Sequence, residues 1–219
     1  MDYGTILGES FAYAKDTVIG KWKEWLLLII ATILLTIPLM GYTLRVLRGE
    51  KPAPEVTGWG TLIIDGIKYL IVSLIWALPC LIVLFLTLGS FIAALASGDT
   101  SAAVGFIGGA IVGVLVFIVV AIITGLLAPI GIIRFARSGS MGDAFSFGEI
   151  FATIGRIGWV SYIVALIVLI IVQLIIALVL TIFTLIPVLG IIVEIIFIAP
   201  ISIFEARYLC QLYDAAGTA

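Results

Sequence analysis

The chain has 219 residues, of which 63% are hydrophobic and 11% charged, with a formal net charge of −2 and no histidine. A mean hydropathy of +1.37 cannot be hidden inside a water-soluble fold of this size, so most of the surface must face lipid. The charge balance leaves no basic surface for nucleic acid, and without histidine, CxxC, HExxH or a P-loop the usual ligand sets for metal and phosphate chemistry are missing.

Residues 1–24 carry mixed charge and do not resemble a signal peptide, so they read as a retained N-terminal interfacial segment. Residues 25–219 read as one transmembrane domain. A hydrocarbon core of roughly 30 Å takes about 20 apolar residues per helix. Five segments meet that length: 25–44, 69–96, 104–133, 159–186 and 188–208. The expected fold is therefore an all-α integral membrane protein with about five transmembrane helices. Several segments exceed the required length, which predicts tilt or kinks at Pro79, Pro129 and Pro200; a split at one proline would give six spans.

One pattern is written twice. "IPLMGYTLRVLRG", from Ile37, closes the first apolar segment with a proline, a glycine and two arginines, and "APIGIIRFARSG", from Ala128, repeats it. Downstream, "WGTLIIDGIKYL" from Trp59 aligns with "FGEIFATIGRIG" from Phe147 without a gap at an offset of 88. Thr61, Asp65 and Lys68 fall on one helical stripe, and Glu149, Thr153 and Arg156 repeat it. Residues 59–67 and 147–155 are accordingly expected as amphipathic helices in the interface. The repeat is parallel, with units of approximately 25–97 and 104–186 followed by a final span, 188–208. Pro200 and Arg207 form a partial third copy.

Basic residues set orientation. Arg45, Arg48, Lys51 and Lys68 share one connection, Arg134, Arg137 and Arg156 another, and Arg207 follows the last span, whereas the connections near Gly98 and Gly190 hold none. The arginine-bearing loops and the C-terminus are therefore expected to be cytoplasmic in a multi-pass protein of the cell membrane. Five spans place the N-terminus outside despite Lys15, Lys21 and Lys23; a re-entrant first segment would bring it to the cytoplasmic side. Arg45, Arg48, Lys68, Arg134, Arg137, Arg156 and Arg207 are candidate contacts for anionic lipid, each contributing about 1 kcal/mol at the membrane surface, or else serve topology alone.

Residues 41–79 resemble the signature region of domain-of-unknown-function family 4013, through Gly41-Tyr42, Arg45, Arg48-Gly49, Trp59-Gly60 and Asp65-Gly66 to Lys68. That resemblance implies a polytopic membrane protein of archaeal type and supplies no catalytic residue.

Within the spans, Gly105, Gly109 and Gly113 form a small-residue ridge suited to close helix packing, inside the monomer or between copies in a homo-oligomer. Gln173 and Glu194 are intramembrane polar residues that need partners or access to the interface. Cys80 and Cys210 read as packing residues. No catalytic, cofactor-binding or metal site emerges, so the expected role is structural, scaffolding or organising of lipids or a membrane partner, not enzymatic. A channel or small-solute transporter using Glu194 and Gln173 is the alternative.

Overall fold

The computed structural model describes residues 2–34, 36–97 and 100–217. Among these the regular elements are all helices: α1 (Tyr3–Val18), α2 (Trp22–Ile33), α3 (Ile37–Leu47), α4 (Trp59–Ser97), α5 (Thr100–Ser138), α6 (Phe147–Ile157), α7 (Trp159–Phe183) and α8 (Pro187–Asp214). Short 3₁₀ turns at Met141–Phe145 and Ala215–Gly217 complete the order. Four helices, α4, α5, α7 and α8, are long and apolar enough to cross a membrane. Gly98 and Asp99, in the expected external connection, lie outside the described residues.

The count of four corrects the expected five, and the difference lies in the first apolar segment. Instead of one span over 25–44, the structure has two helices of 12 and 11 residues, each rising only about 16–18 Å. Pro38 explains the break. In a continuous helix its ring would collide with the carbonyl of Leu34, whereas in the first turn of α3 the missing N–H costs nothing. The chain turns at Thr36, which takes the left-handed conformation with φ 63°.

Both open ends of this hairpin meet the same loop. Glu24, at the start of α2, accepts from the Val56 amide at 2.8 Å, while Arg45, near the end of α3, donates to the Thr57 carbonyl at 2.9 Å. The segment is therefore a helical hairpin whose two ends lie together, and α1 stays with the arginine-bearing end of the bundle. There α1 packs along the second half of α8: Gln211 Nε2 donates to Ser10 Oγ at 2.9 Å, and Phe11 stacks near Phe204 with ring centroids 4.3 Å apart.

α3 and α4 approach most closely at two glycines. A methyl group at Gly41 would overlap the Leu62 carbonyl, and one at Gly66 the Ile37 carbonyl. Around this crossing lies the core, where Tyr42, Leu44, Leu62, Ile130, Ile133, Phe135, Phe204 and Tyr208 are buried. Pro79, Pro129 and Pro200 all lie inside continuous helices.

The two stretches expected as interfacial helices differ. Residues 147–155 fall in α6, a separate amphipathic helix with Ile150, Thr153, Ile154 and Ile157 buried, and Phe147 and Phe151 exposed. Residues 59–67 instead form the first turns of α4 and run straight into a span. The reason is local. Gly158, with φ 91°, separates α6 from α7, and the residue at the offset of 88 is Leu70, whose side chain disfavours such a turn.

Candidate functional site at the arginine end

The last turn of a helix leaves carbonyls without intrahelical partners, and cationic side chains are favoured beside them. α3 and α5 end side by side and meet this need reciprocally. Arg137 Nε donates to the Leu47 carbonyl at 3.0 Å, and Arg48 Nε donates to the Ala136 carbonyl at 3.3 Å. Each arginine thus reaches the carbonyl of the residue preceding the other arginine. The remaining guanidinium nitrogens find acids: Arg48 pairs with Asp65 at 2.8 Å, and Arg137 with Asp214 at 2.7 Å. Gly49, at φ 89°, clears space for the Arg137 guanidinium, which would lie 3.1 Å from an added methyl.

The first arginines of the two motifs behave differently from the second ones. Each turns toward the helix that follows in sequence: Arg45 donates to Thr61 Oγ1 at 2.8 Å, and Arg134 lies 3.7 Å from Glu149. Arg207, expected at a lipid surface, is 2% exposed under α1, its guanidinium 5.1 Å from the Tyr13 ring centre. Tyr13 in turn donates to the Glu50 carbonyl at 2.9 Å. Burial pushes the Tyr13 hydroxyl up to about 12, so it remains a donor across the physiological range. Lys68 is half-buried on α4, and Arg156 is exposed on α6, where it also donates to Thr153 Oγ1 at 3.1 Å.

Of the seven basic candidates, then, Arg48, Arg137 and Arg207 are committed inside the protein, Arg45 and Arg134 are partly so, and Arg156 and Lys68 remain the most available. Sequence reasoning missed Asp214 and the polar use of Cys210. Both cysteines are free thiols, but Cys210 is no inert filler: its sulfur lies 3.1 Å from an Arg137 nitrogen and 3.7 Å from Asp214. The i, i+4 spacing of Cys210 and Asp214 on a helix was the available signal.

The intramembrane polar residues are also redistributed. Gln173 on α7 donates to Glu205 on α8 at 3.0 Å, while Glu194 is exposed on α8, about one turn beyond Gly190. Glu205 opens onto a cavity of about 360 Å³ between α3, α4, α5 and α8. Among the described residues the glycine ridge touches α4 at Gly113, where an added methyl would strike the Thr87 side chain at 2.5 Å; Gly105 and Gly109 line a gap shared with Ser90, Ala93 and Ala94 of α4. Among the described residues no group of three or more acids, cysteines or histidines is placed to hold a metal ion.

A family model described as a protein of unknown function (DUF4013) matches residues 25–185. No curated protein and no solved structure matches the chain.

Proposed function

The chain belongs to the DUF4013 family of unknown function, and from its geometry we propose that it is a non-enzymatic membrane scaffold whose arginine end organises lipid headgroups or a membrane partner. The reciprocal arginine clasp carries this reading. It ties the ends of α3, α5 and α8 into one polar layer, beside which α6 turns one face outward. On that edge Phe147 and Phe151 are 51% and 47% exposed, Trp159 is 41% exposed at the start of α7, and Arg156 stands among them. Aromatic rings beside a cation suit the headgroup level of a bilayer.

The parallel repeat is part of the same reading, supported by matched contacts: Arg45 to Thr61 in one unit and Arg134 to Glu149 in the other. The concentration of basic residues makes this end cytoplasmic, and the gap between α4 and α5 at Gly105 and Gly109 leaves room for a helix of a second copy. The transport alternative shifts from Glu194 to Glu205, because Gln173 bonds the latter.

Native mass spectrometry of protein released from bilayers containing phosphatidylglycerol tests the lipid role. Replacing Lys68 and Arg156 by Gln is expected to reduce retained anionic lipid by about fivefold per charge, from about 1 kcal/mol each. Unchanged retention in the double variant would defeat the lipid-organising reading.

A further inference from the structure

We propose that the cavity at Glu205 is a binding site for a small organic cation carrying a primary ammonium group. It lies between the α2–α3 hairpin and α8, bordered by Thr36 and Thr43 from the hairpin, Tyr69 from α4, Thr124 from α5, and Ser202 and Glu205 from α8. This site adjoins the arginine layer only through Leu47, which borders the cavity and whose carbonyl accepts from Arg137, and its occupation requires neither lipid organisation nor transport.

Three observations define the ligand. The first is charge. Glu205 takes part in none of the ion pairs among the described residues, which join Arg48 to Asp65, Arg134 to Glu149 and Arg137 to Asp214. Its neutral partner is Gln173, and the amino end of α3, starting beside Thr36, adds only a partial positive charge. A carboxylate in a membrane span without a full countercharge is costly, and a bound cation removes that cost.

The second is hydrogen-bond polarity. Thr43 Oγ1 already donates to the Leu39 carbonyl at 2.9 Å, and Ser202 Oγ to the Ile198 carbonyl at 2.8 Å. Their protons are committed to the helices, so both hydroxyls present lone pairs to the cavity. With Glu205 they make three acceptors, which the Thr36, Tyr69 and Thr124 hydroxyls, able to donate or accept, can join, and an ammonium group, with three donors and no acceptor, complements them.

The third is size and lining. A space of about 360 Å³ exceeds what a single inorganic ion needs, and its oxygens come from four helices rather than from one compact shell. Leu39, Met40, Ala128, Ile132 and Leu209 give the rest an apolar wall against which a short alkyl body packs.

Thermal unfolding in phosphatidylcholine nanodiscs, titrated with n-butylammonium, tests the site. The midpoint should rise saturably with n-butylammonium and should not respond to equal n-butanol or equal sodium chloride. Glu205→Gln, which keeps the side-chain volume, should weaken the response at least tenfold. An equal response to butanol would leave only an apolar hole, and an equal response to sodium an inorganic ion site; either overturns the proposal, as does full binding by Glu205→Gln. If that variant does not fold, Thr43→Leu fills the cavity from the hairpin with the carboxylate intact, and undiminished binding by it also overturns the proposal. The ammonium could be free or part of a lipid headgroup. Added phosphatidylethanolamine that raises the midpoint and blocks n-butylammonium would identify the headgroup as the source, whereas no effect would identify a free amine.

Discussion

If the arginine clasp is a structural unit, removing its two halves must be coupled, and the coupling distinguishes it from a pair of lipid-binding residues. Consider Arg137→Met, which keeps the apolar stem and deletes the guanidinium. Besides weaker contacts to Cys210 Sγ and the Tyr213 ring, two interactions are lost. The ion pair with Asp214 is half exposed, the two side chains being 32% and 49% accessible, so its contribution is discounted to about 0.5 kcal/mol. The bond to the Leu47 carbonyl is charge-assisted and contributes about 1.5 kcal/mol. A total near 2 kcal/mol follows. Arg48→Met loses a longer carbonyl bond of about 1 kcal/mol and strands Asp65, which is only 15% accessible, at a further cost of about 1–2 kcal/mol. Both guanidinium groups lie across the same pair of helix ends, so loss of one already loosens the other. The double variant should therefore fall short of the summed loss by about 1 kcal/mol.

Equilibrium unfolding in mixed micelles, followed by tryptophan fluorescence, measures the cycle. Arg137→Lys sharpens it. Lysine keeps the charge a lipid phosphate would need but cannot hold the Leu47 carbonyl and Asp214 with two separate nitrogens of a planar fork. It should retain less than half of the stabilisation. Additivity within about 0.3 kcal/mol, or full rescue by lysine, would refute the clasp.

Three further outcomes check the fold. Gly66→Ala places a methyl against the Ile37 carbonyl and should destabilise by about 1–3 kcal/mol in the same unfolding assay. Thr36→Gly relieves a β-branched residue at φ 63° and should stabilise the hairpin by about 1 kcal/mol; destabilisation would show that the turn depends on the threonine hydroxyl instead. Cysteines placed at Gly139 and Leu185 should react with an impermeant reagent from opposite faces of oriented vesicles, and labelling from one face would defeat the topology.

The long apolar helices were readable because composition alone forces them into lipid: α7 and α8, over Trp159–Phe183 and Pro187–Asp214, lie close to the expected segments 159–186 and 188–208. The hairpin turn was less visible. Its cause, Pro38, was noted, but a proline can kink a span or start a new helix, and only the left-handed Thr36 and the shared 53–57 loop decide between them. The fate of the arginines was hidden for a different reason. Sequence shows that a basic residue ends a helix, not that another helix ends beside it with carbonyls to fill. Glu205 was obscured by position. Two residues before Arg207 it reads as part of a helix end, yet it borders a cavity that reaches Thr124 and Thr36.

The two motifs also show why α8 is tied into the arginine layer. In the first unit Arg48 finds its acid on the following helix, at Asp65. At the offset of 88 the matching residue is Thr153, which cannot neutralise a guanidinium and whose hydroxyl donates to the Glu149 carbonyl at 2.8 Å. Arg137 therefore has no acid at the corresponding place in its own unit, and Asp214 from the end of α8 occupies that role. With threonine at that position the acid comes from the C-terminal helix, and α1 packs against the same half of α8 through Ser10 and Gln211. On the proposed parallel repeat, this departure joins the helices outside the two units to the arginine layer.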